Sequence, residues 1–385
     1  MKICLVHNDY GKHSGEQTVV EGLMKLLEGG GHTVCMYRRS STEIPEKFLG
    51  NIQAFFSGIY NPYSRRDFRI LLNKERPDVI HAHNLYPFIS PSILPVAKRM
   101  GIPVVMTVHN YRLVCPNGLH YSHDEVCIRC EGGNEYWCVK RNCEGSYFKS
   151  LGYALRNWWS RIRRYYLDNI NVYICLTNFQ RNQLVRAGVD AEKIHVLPNM
   201  VEPLGQVNGS FEGNYVGFVG RLSREKGIDT LVEVANRNNG IEFAAAGSYD
   251  TMENLSDRVP ENFSLLGFCG SERLEEFYNN ARFIVLPSVW YEGFPMVLLE
   301  SMLREKAVVC SNIGGLPDIV EDGVTGLLAR PGDAADLGEK IRILWNNPGL
   351  CKKMGTAGRE KVIRDYSKQR HYQTLMELYR KAIEA

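Results

Sequence analysis

No apolar run in the 385 residues reaches the ~18 residues that a helix needs to span a bilayer, so a transmembrane anchor is not expected. The start, Met1-Lys-Ile-Cys-Leu-Val-His7, reads as a short strand rather than a secretory signal, and a cytoplasmic protein is expected. An excess of one charge is also missing. The formal net charge of +3 gives no global attraction to nucleic acid. Disorder has no compositional support, because 44% hydrophobic and 23% charged residues are ordinary proportions for a folded chain. The length exceeds what one core organises and suits two domains of about 150 to 200 residues. Cysteine, by contrast, is plentiful, with eleven residues. Such a number would suggest disulfides in a small secreted protein, but Cys4, Cys35, Cys175 and Cys310 sit inside apolar strand patterns, where a thiol packs as a small hydrophobe.

Strand and helix patterns alternate through the first half. The strands are Ile3 to Val6, Thr33 to Tyr37, Val79 to His83 and Val104 to His109; the helices are Gly15 to Glu28, Arg65 to Lys74 and Ser92 to Met100. This alternation predicts a parallel sheet covered on both faces. A Cys-rich insertion and an aromatic, basic helix follow. Then come the strand Val172 to Leu176, the helix Phe179 to Ala187 and the strand Ile194 to Leu197. Pro198 to Pro203, with the Gly/Asn-rich stretch from Gly205 to Asn214, reads as an interdomain linker. The second half repeats the layout, with strands near Tyr215, Glu242, Ser264, Arg282, Ala307 and Gly326. The fold class expected is α/β, two doubly wound domains over residues 1–200 and 201–365. A closing amphipathic segment from about Tyr366 to Ile383 carries Tyr372, Leu375, Met376, Leu378 and Tyr379 at helical spacing.

The chemistry concentrates in the second half. In Glu292-Gly-Phe-Pro-Met-Val-Leu-Leu-Glu300 two carboxylates flank a loop-to-helix junction directly after the apolar strand Phe283 to Pro287. Both can face the crevice in which α/β sheets bind ligands, an arrangement suited to a polyhydroxylated molecule; the alternative for either is a solvated glutamate on the outer face. The strand Asn214 to Gly220 runs into Arg221-Leu-Ser-Arg-Glu-Lys226-Gly227 and then a helix, which is a phosphate-binding layout. Gly220 permits close backbone approach, Arg221 can grip phosphate oxygens with a bidentate fork, and Lys226 adds a point charge near a helix start that favours anions. Alone, these two cations would read as partners of surface ion pairs; with the paired glutamates they read as a site.

With "GFVGRLSREKGIDTLVEVA", "KIHVLPNMVE" and "VLPSVWYEGFPMVLLESMLREKAVVCSNIGGLPDIVEDGVTGLLA", the chain resembles the retaining GT-B glycosyltransferases of glycosyltransferase family 4. "HSGEQTVVEGLMKLLEGGGHTV", "PDVIHAHN" and "VVMTVHN" extend the match toward the N-terminus. The resemblance implies a GT-B fold, two facing Rossmann-like domains with a cleft between them, an acceptor-side first domain and a final helix over residues 366–385 crossing back to it. It implies a nucleotide-diphosphate sugar as donor and a glycan or lipid-linked acceptor in cell-surface polysaccharide biosynthesis. It assigns Glu300 to the ribose hydroxyls and Glu292 to the donor sugar; Glu292 can alternatively steady positive charge at the anomeric centre. No Asp-x-Asp motif occurs, so a metal-dependent route lacks its usual ligands. No cofactor is expected for catalysis. The departing diphosphate would fall to Arg221 and Lys226, helped by backbone amides of the turn Gly293-Phe294-Pro295-Met296-Val297 at the helix start, Pro295 itself having none to donate. His109 closes its strand, and by resemblance it binds the donor sugar or orients the acceptor; by itself a single histidine there is more simply a hydrogen-bonded structural residue. Asn110 replaces the Asp that often follows it in the family. The loop Lys12 to Glu16 offers Gly15 as a further point of backbone approach to phosphate or acceptor.

Cys115, Cys127, Cys130, Cys138 and Cys143 fall within one insertion. Some family members share a pattern that selects Cys115, Cys127, Cys130 and Cys143, so a structural zinc on these four is the expectation, with Cys138 as the spare; the alternative is reduced thiols packing a loop. From Lys140 to Tyr166 basic residues interleave with aromatics, which suits contact with the inner face of an anionic membrane or, alternatively, packing of the rings on the first sheet. Rival readings are a nucleotide-sugar epimerase or glucan synthase of the same fold and, from another class, a zinc-dependent nucleic-acid-binding protein, which the near-neutral charge disfavours.

Overall fold

The computed structural model describes residues 1–10, 15–43, 48–202, 204–205, 213–249, 252 and 254–385. Residues 12–14 of the proposed backbone-approach loop, and Pro203 with 206–212 of the expected linker, lie outside the described residues. The chain forms two compact units. Unit 1 comprises residues 1–123, 127–199 and 369–385, and unit 2 comprises 124–126 and 200–368.

Six parallel strands build unit 1: β1 (Lys2–Asp9), β2 (Thr33–Ser40), β3 (Val79–Ala82), β4 (Val104–Val108), β5 (Val172–Cys175) and β6 (Ile194–Val196). They lie in the order β2-β1-β3-β4-β5-β6. Because both faces of a parallel sheet are covered, every strand residue must be apolar or paired, and the pleat divides them. Ile3, Leu5, Val79, Val105, Val172 and Ile174 enter one core, which the helices Gly15–Gly29 and Lys368–Glu384 close with Leu23, Leu27, Leu375 and Tyr379. Cys4, Val6, Ile80, Ala82, Val104, Met106, Tyr173 and Cys175 enter the other. The helix Pro62–Glu75 begins with Asn61, whose side chain accepts from Ser64 N, and Pro62 at its first position, a start signal legible in sequence. The helix Phe48–Ile59 was not expected, although Phe48, Ile52, Phe55 and Ile59 recur at helical spacing; Gly50 and Gly58, poor helix formers, stand among them.

Unit 2 repeats the plan with β7 (Tyr215–Val219), β8 (Phe243–Ala246), β9 (Phe263–Gly267), β10 (Ala281–Leu286), β11 (Val308–Ser311) and β12 (Gly326–Ala329), ordered β9-β8-β7-β10-β11-β12. Its single core spans both faces of the sheet, from Val216 and Phe218 on β7 to Tyr366 after the helix Pro348–Asp365. Among the described residues no helix is long and apolar enough to cross a membrane.

Candidate functional site

In unit 2 the chain builds from β7 outward to β8 and β9, then returns to the other side of β7 with β10. The carboxyl ends of β7 and β10 therefore flank the switch point at which open parallel sheets bind ligands. After β7 come Gly220, with φ of 144°, and the turn Arg224–Lys226, which ends on Gly227 with φ of 76°. A Cβ on Gly227 would stand 1.8 Å from the Pro287 carbonyl oxygen, so only glycine lets this turn close on the end of β10. That closure brings Lys226 Nζ to 2.6 Å from Glu292 Oε1, and the same oxygen accepts from Ser288 Oγ at 2.7 Å. On the other side Gly314, with φ of 59°, approaches the Glu292 backbone so closely that a Cβ would lie 2.7 Å from its nitrogen. Gly315 N then donates to the Glu292 carbonyl at 2.9 Å. The result is a carboxylate in a residue only 4% exposed, fixed from three directions and matched by one ammonium. A carboxylate buried this far requires such partners.

Beside the pair lies Trp290, with Lys226 Nζ 5.4 Å from its ring centroid. Its indole nitrogen is buried and has no hydrogen-bond partner among the described residues. Arg221 extends to Glu225 in an ion pair and to Ser223 Oγ at 3.4 Å. Burial pushes the Glu225 carboxyl up, but the hydrogen bond from Ser223 and the charge of Arg221 outweigh it and hold the group below the usual carboxylate range. The helix Met296–Leu303 starts directly after Glu292-Gly293-Phe294-Pro295, so its positive end stands near the same strand end. Phe294 packs edge-on against Tyr366 at 5.7 Å. Val297 and Met296 open the first turn, and Glu300 in the second accepts from the Tyr278 hydroxyl at 3.0 Å. The structure thus joins Lys226 to Glu292, and gives Arg221 and Glu300 partners of their own. The sequence reading missed Ser288, Tyr278, Gly314 and the Lys226–Glu292 contact itself.

Unit 1 carries a second polar assembly at the ends of β1, β3 and β4. The pleat that sends Leu5, Val79 and Val105 toward the last helix also sends His7, His81, His83, Thr107 and His109 to that face. His81 bridges the Tyr379 hydroxyl and Thr107 Oγ1, at 2.7 Å each. His83 Nδ1 stands 2.9 Å from His109 Nε2 with the rings stacked, and the His7 ring lies edge-on to His83. Burial pushes the His109 imidazole down to about 4 and the His81 imidazole down to about 3, and it lowers His83 and His7 as well. All four are therefore neutral at physiological pH. Nearby, the Tyr10 hydroxyl donates to Glu16 Oε2 at 2.9 Å, and Arg112 Nη1 reaches Tyr10 at 3.2 Å and Asn84 Oδ1 at 3.1 Å. Burial pushes the Glu16 carboxyl up. Only His109 of this group was anticipated, although the alternation His81-Ala82-His83 at a strand end was the available signal. Gly15 is the first residue of its helix, and a Cβ there would meet open space.

The expected zinc set finds no support in the structure. Among the described residues no three or more His, Cys, Asp or Glu side chains are grouped to hold a metal ion, and Cys115, Cys127, Cys130 and Cys143 are no exception. Cys115 Sγ donates to Asn117 Oδ1 at 3.0 Å. Cys143 shares a hydrogen bond with Cys138, which pulls its thiol down to about 6. Cys138, the expected spare, is 1% exposed and packs with Cys130, Ala154, Trp137 and Tyr153.

Two family matches divide the chain. Residues 13–203 match Glycosyltransferase Family 4, and residues 206–361 match Glycosyl transferases group 1. Alpha-maltose-1-phosphate synthase of Mycolicibacterium smegmatis is 27% identical over 350 residues, 82% of this chain and 82% of that protein. Among solved structures, sucrose-phosphate synthase from Thermosynechococcus elongatus superposes with a TM-score of 0.71 at 19% identity, covering 99% of this chain and 98% of that one. Anabaena HepE in complex with UDP-glucose gives a TM-score of 0.64 at 17% identity, covering 98% of each chain. These two share the fold, a pair of doubly wound parallel-sheet domains of the GT-B kind. Since the two family matches meet at the junction between the units and together reach from residue 13 to residue 361, the chain belongs to the group 1, family 4 glycosyltransferases and is a transferase enzyme of GT-B fold.

Proposed function

We propose that this glycosyltransferase moves a sugar with retention of anomeric configuration, and without a catalytic metal, from a nucleotide-diphosphate sugar to a glycan or lipid-linked acceptor of a cell-surface polysaccharide. The observation that carries the reading is the Lys226–Glu292–Ser288 cluster at the switch point of the unit 2 sheet. A lysine ammonium has three donors. One is held by Glu292, so the charge is fixed before substrate arrives and the remaining donors can meet the diphosphate. Fixed donors of this kind stabilise charge that develops on a leaving group without reorganising. Arg221 and the start of the helix Met296–Leu303 add positive potential, Glu300 takes the ribose hydroxyls, and Glu292 faces the donor sugar. The C1–O bond to the diphosphate breaks, the acceptor oxygen bonds C1 on the same face, and the acceptor proton passes to the diphosphate oxygen. His109, neutral at physiological pH, can accept or donate one hydrogen bond to a sugar hydroxyl without placing a charge there. Binding of UDP-glucose by Anabaena HepE supports a nucleotide-sugar donor.

The test is transfer from an α-linked nucleotide sugar, followed by NMR of the product with and without EDTA. An α-linked product and undiminished activity in chelator are expected. A β-linked product, or activity lost in EDTA and restored by magnesium or manganese, would overturn the mechanism. Contact with the inner face of the membrane belongs to the same proposal, and the basic, aromatic helix Tyr147–Ile162 supports it.

A further inference from the structure

The histidines at the ends of β3 and β4 hold one another in sequence. His81 has both ring nitrogens engaged, by the Tyr379 hydroxyl and by Thr107 Oγ1, which fixes its plane. His83 lies over it, with the ring centroids 4.3 Å apart and the planes 30° from parallel. His83 in turn meets His109 through the 2.9 Å contact of Nδ1 with Nε2. His83 is 3% exposed, whereas His109, directly after β4, is only half-buried. The order therefore runs from a hydroxyl on the last helix to the imidazole that can meet a ligand.

The position of the shared proton follows from what each ring has left. Burial keeps His83 and His109 neutral, and a neutral imidazole carries a single N–H. One proton lies between His83 Nδ1 and His109 Nε2, and either ring can supply it. If His109 donated, the proton of His83 would stand on Nε2, which is buried without a hydrogen-bond partner among the described residues. Glu16, a carboxyl on the wall of the adjoining small cavity, has its Oε1 3.8 Å from His7 Nδ1 instead. A buried N–H without an acceptor is rarer than a bare acceptor and costs its full desolvation. If His83 donates, its Nε2 is bare, and the proton of His109 falls on Nδ1, the nitrogen that the pair does not use.

We infer that His83 is a positioning residue for sugar transfer: by donating from Nδ1 to His109 Nε2 it fixes the ring and the tautomer of His109, which then offers Nδ1–H to a sugar oxygen. The inference rests on the proposed contact of His109 with sugar and narrows that contact to one role, the donor.

The experiment is long-range proton–nitrogen correlation NMR on the full chain labelled at the histidine nitrogens, where protonated and bare ring nitrogens resonate far apart. Signals missing from His109→Gln identify its ring. The proton of His109 is expected on Nδ1 with Nε2 bare; a proton on Nε2 overturns the inference, and this readout needs no variant of His83 to fold. Two substitutions carry the test to the reaction. His83→Leu removes the donor and should lower kcat for transfer from the α-linked nucleotide sugar by ~10-fold, with nucleoside diphosphate affinity unchanged in calorimetry. His83→Asn, whose amide N–H can stand in for Nδ1–H, should recover most of that loss and keep the proton of His109 on Nδ1. Loss of packing alone would not separate the two variants, so equal losses in both, or wild-type turnover in His83→Leu, overturn the inference. Wild-type transfer by His109→Gln instead refutes the proposed sugar contact on which the inference rests.

Discussion

The two units share a doubly wound plan, yet the strand ends that carry their polar groups are built from opposite materials. Residues 200–368 contain no histidine, and all ten fall in the segments that make up unit 1. Unit 2 gathers fixed charge, an ammonium against a carboxylate on glycine-built turns. Unit 1 gathers buried imidazoles that burial keeps neutral, with Glu16 pushed toward its neutral form as well. The difference follows from the tasks proposed for them. A departing diphosphate needs permanent positive charge, whereas uncharged hydroxyls are recognised by neutral groups that hydrogen-bond without paying for a buried ion.

The largest expected effect sharpens the charged side. Lys226→Ala should lower turnover by ~100-fold or more, because it removes a fixed donor and strands Glu292, and Arg221→Ala should cost less, since its side chain is 53% exposed and already spent on Glu225. Steady-state kinetics on both decide it; an Arg221→Ala loss equal to or above that of Lys226→Ala would break the picture of a site centred on the ion pair.

Acid tests the neutral side. His109 and His81 titrate near 6.5 when unfolded but at about 4 and about 3 when folded. Between those values the unfolded chain binds more protons, so stability is full above about pH 6.5 and falls as pH drops, by about 1.4 kcal/mol per pH unit for each group. Hydrogen exchange at pH 5 against pH 7 should therefore show unit 1 amides losing protection while unit 2 amides hold. Equal loss in both units would refute the role of the buried imidazoles.

Within unit 2, Glu300→Gln should weaken nucleoside diphosphate binding by about 1.5 kcal/mol, and Glu292→Gln should lower turnover more than it lowers that affinity. Calorimetry with the bare nucleotide checks the split, and equal affinity losses would contradict it. The smallest effect concerns Gly15. With open space around its Cβ, Gly15→Ala should leave stability unchanged or raise it by about 0.5 kcal/mol. A fall in transfer rate without a fall in melting temperature would show that the backbone at this position meets a ligand.

Much of this architecture was legible because parallel strands buried on both faces must read as apolar runs, and inner strands such as Val104–Val108 and Ala281–Leu286 leave such a run. Arg221, Lys226, Glu292 and Glu300 were legible one by one, from their places beside strands and helix starts. Their pairing was not, because Lys226 and Glu292 are 66 residues apart and meet only through the register of the sheet and the contact of Gly227 with Pro287. The zinc expectation went unsupported for a related reason: cysteine spacing counts thiols but does not orient them, and Cys130 and Cys138 pack with Trp137 and Tyr153. The histidine stack was hidden because its members come from three strands, with a hydroxyl added by the last helix.

That hydroxyl, on Tyr379, has a bearing on how the protein is made. Unit 1 takes Leu375, Met376, Leu378 and Tyr379 into its core from the helix Lys368–Glu384, so these side chains reach it only after residues 200–368 have been translated. Unit 2 is almost wholly contained in residues 200–368 and can complete its core beforehand. On the ribosome the half synthesised second is therefore the half finished first, the reverse of the usual order. Until then, the emerging first half exposes a sheet face that the helix Gly15–Gly29 covers only in part, and that a chaperone would have to shield.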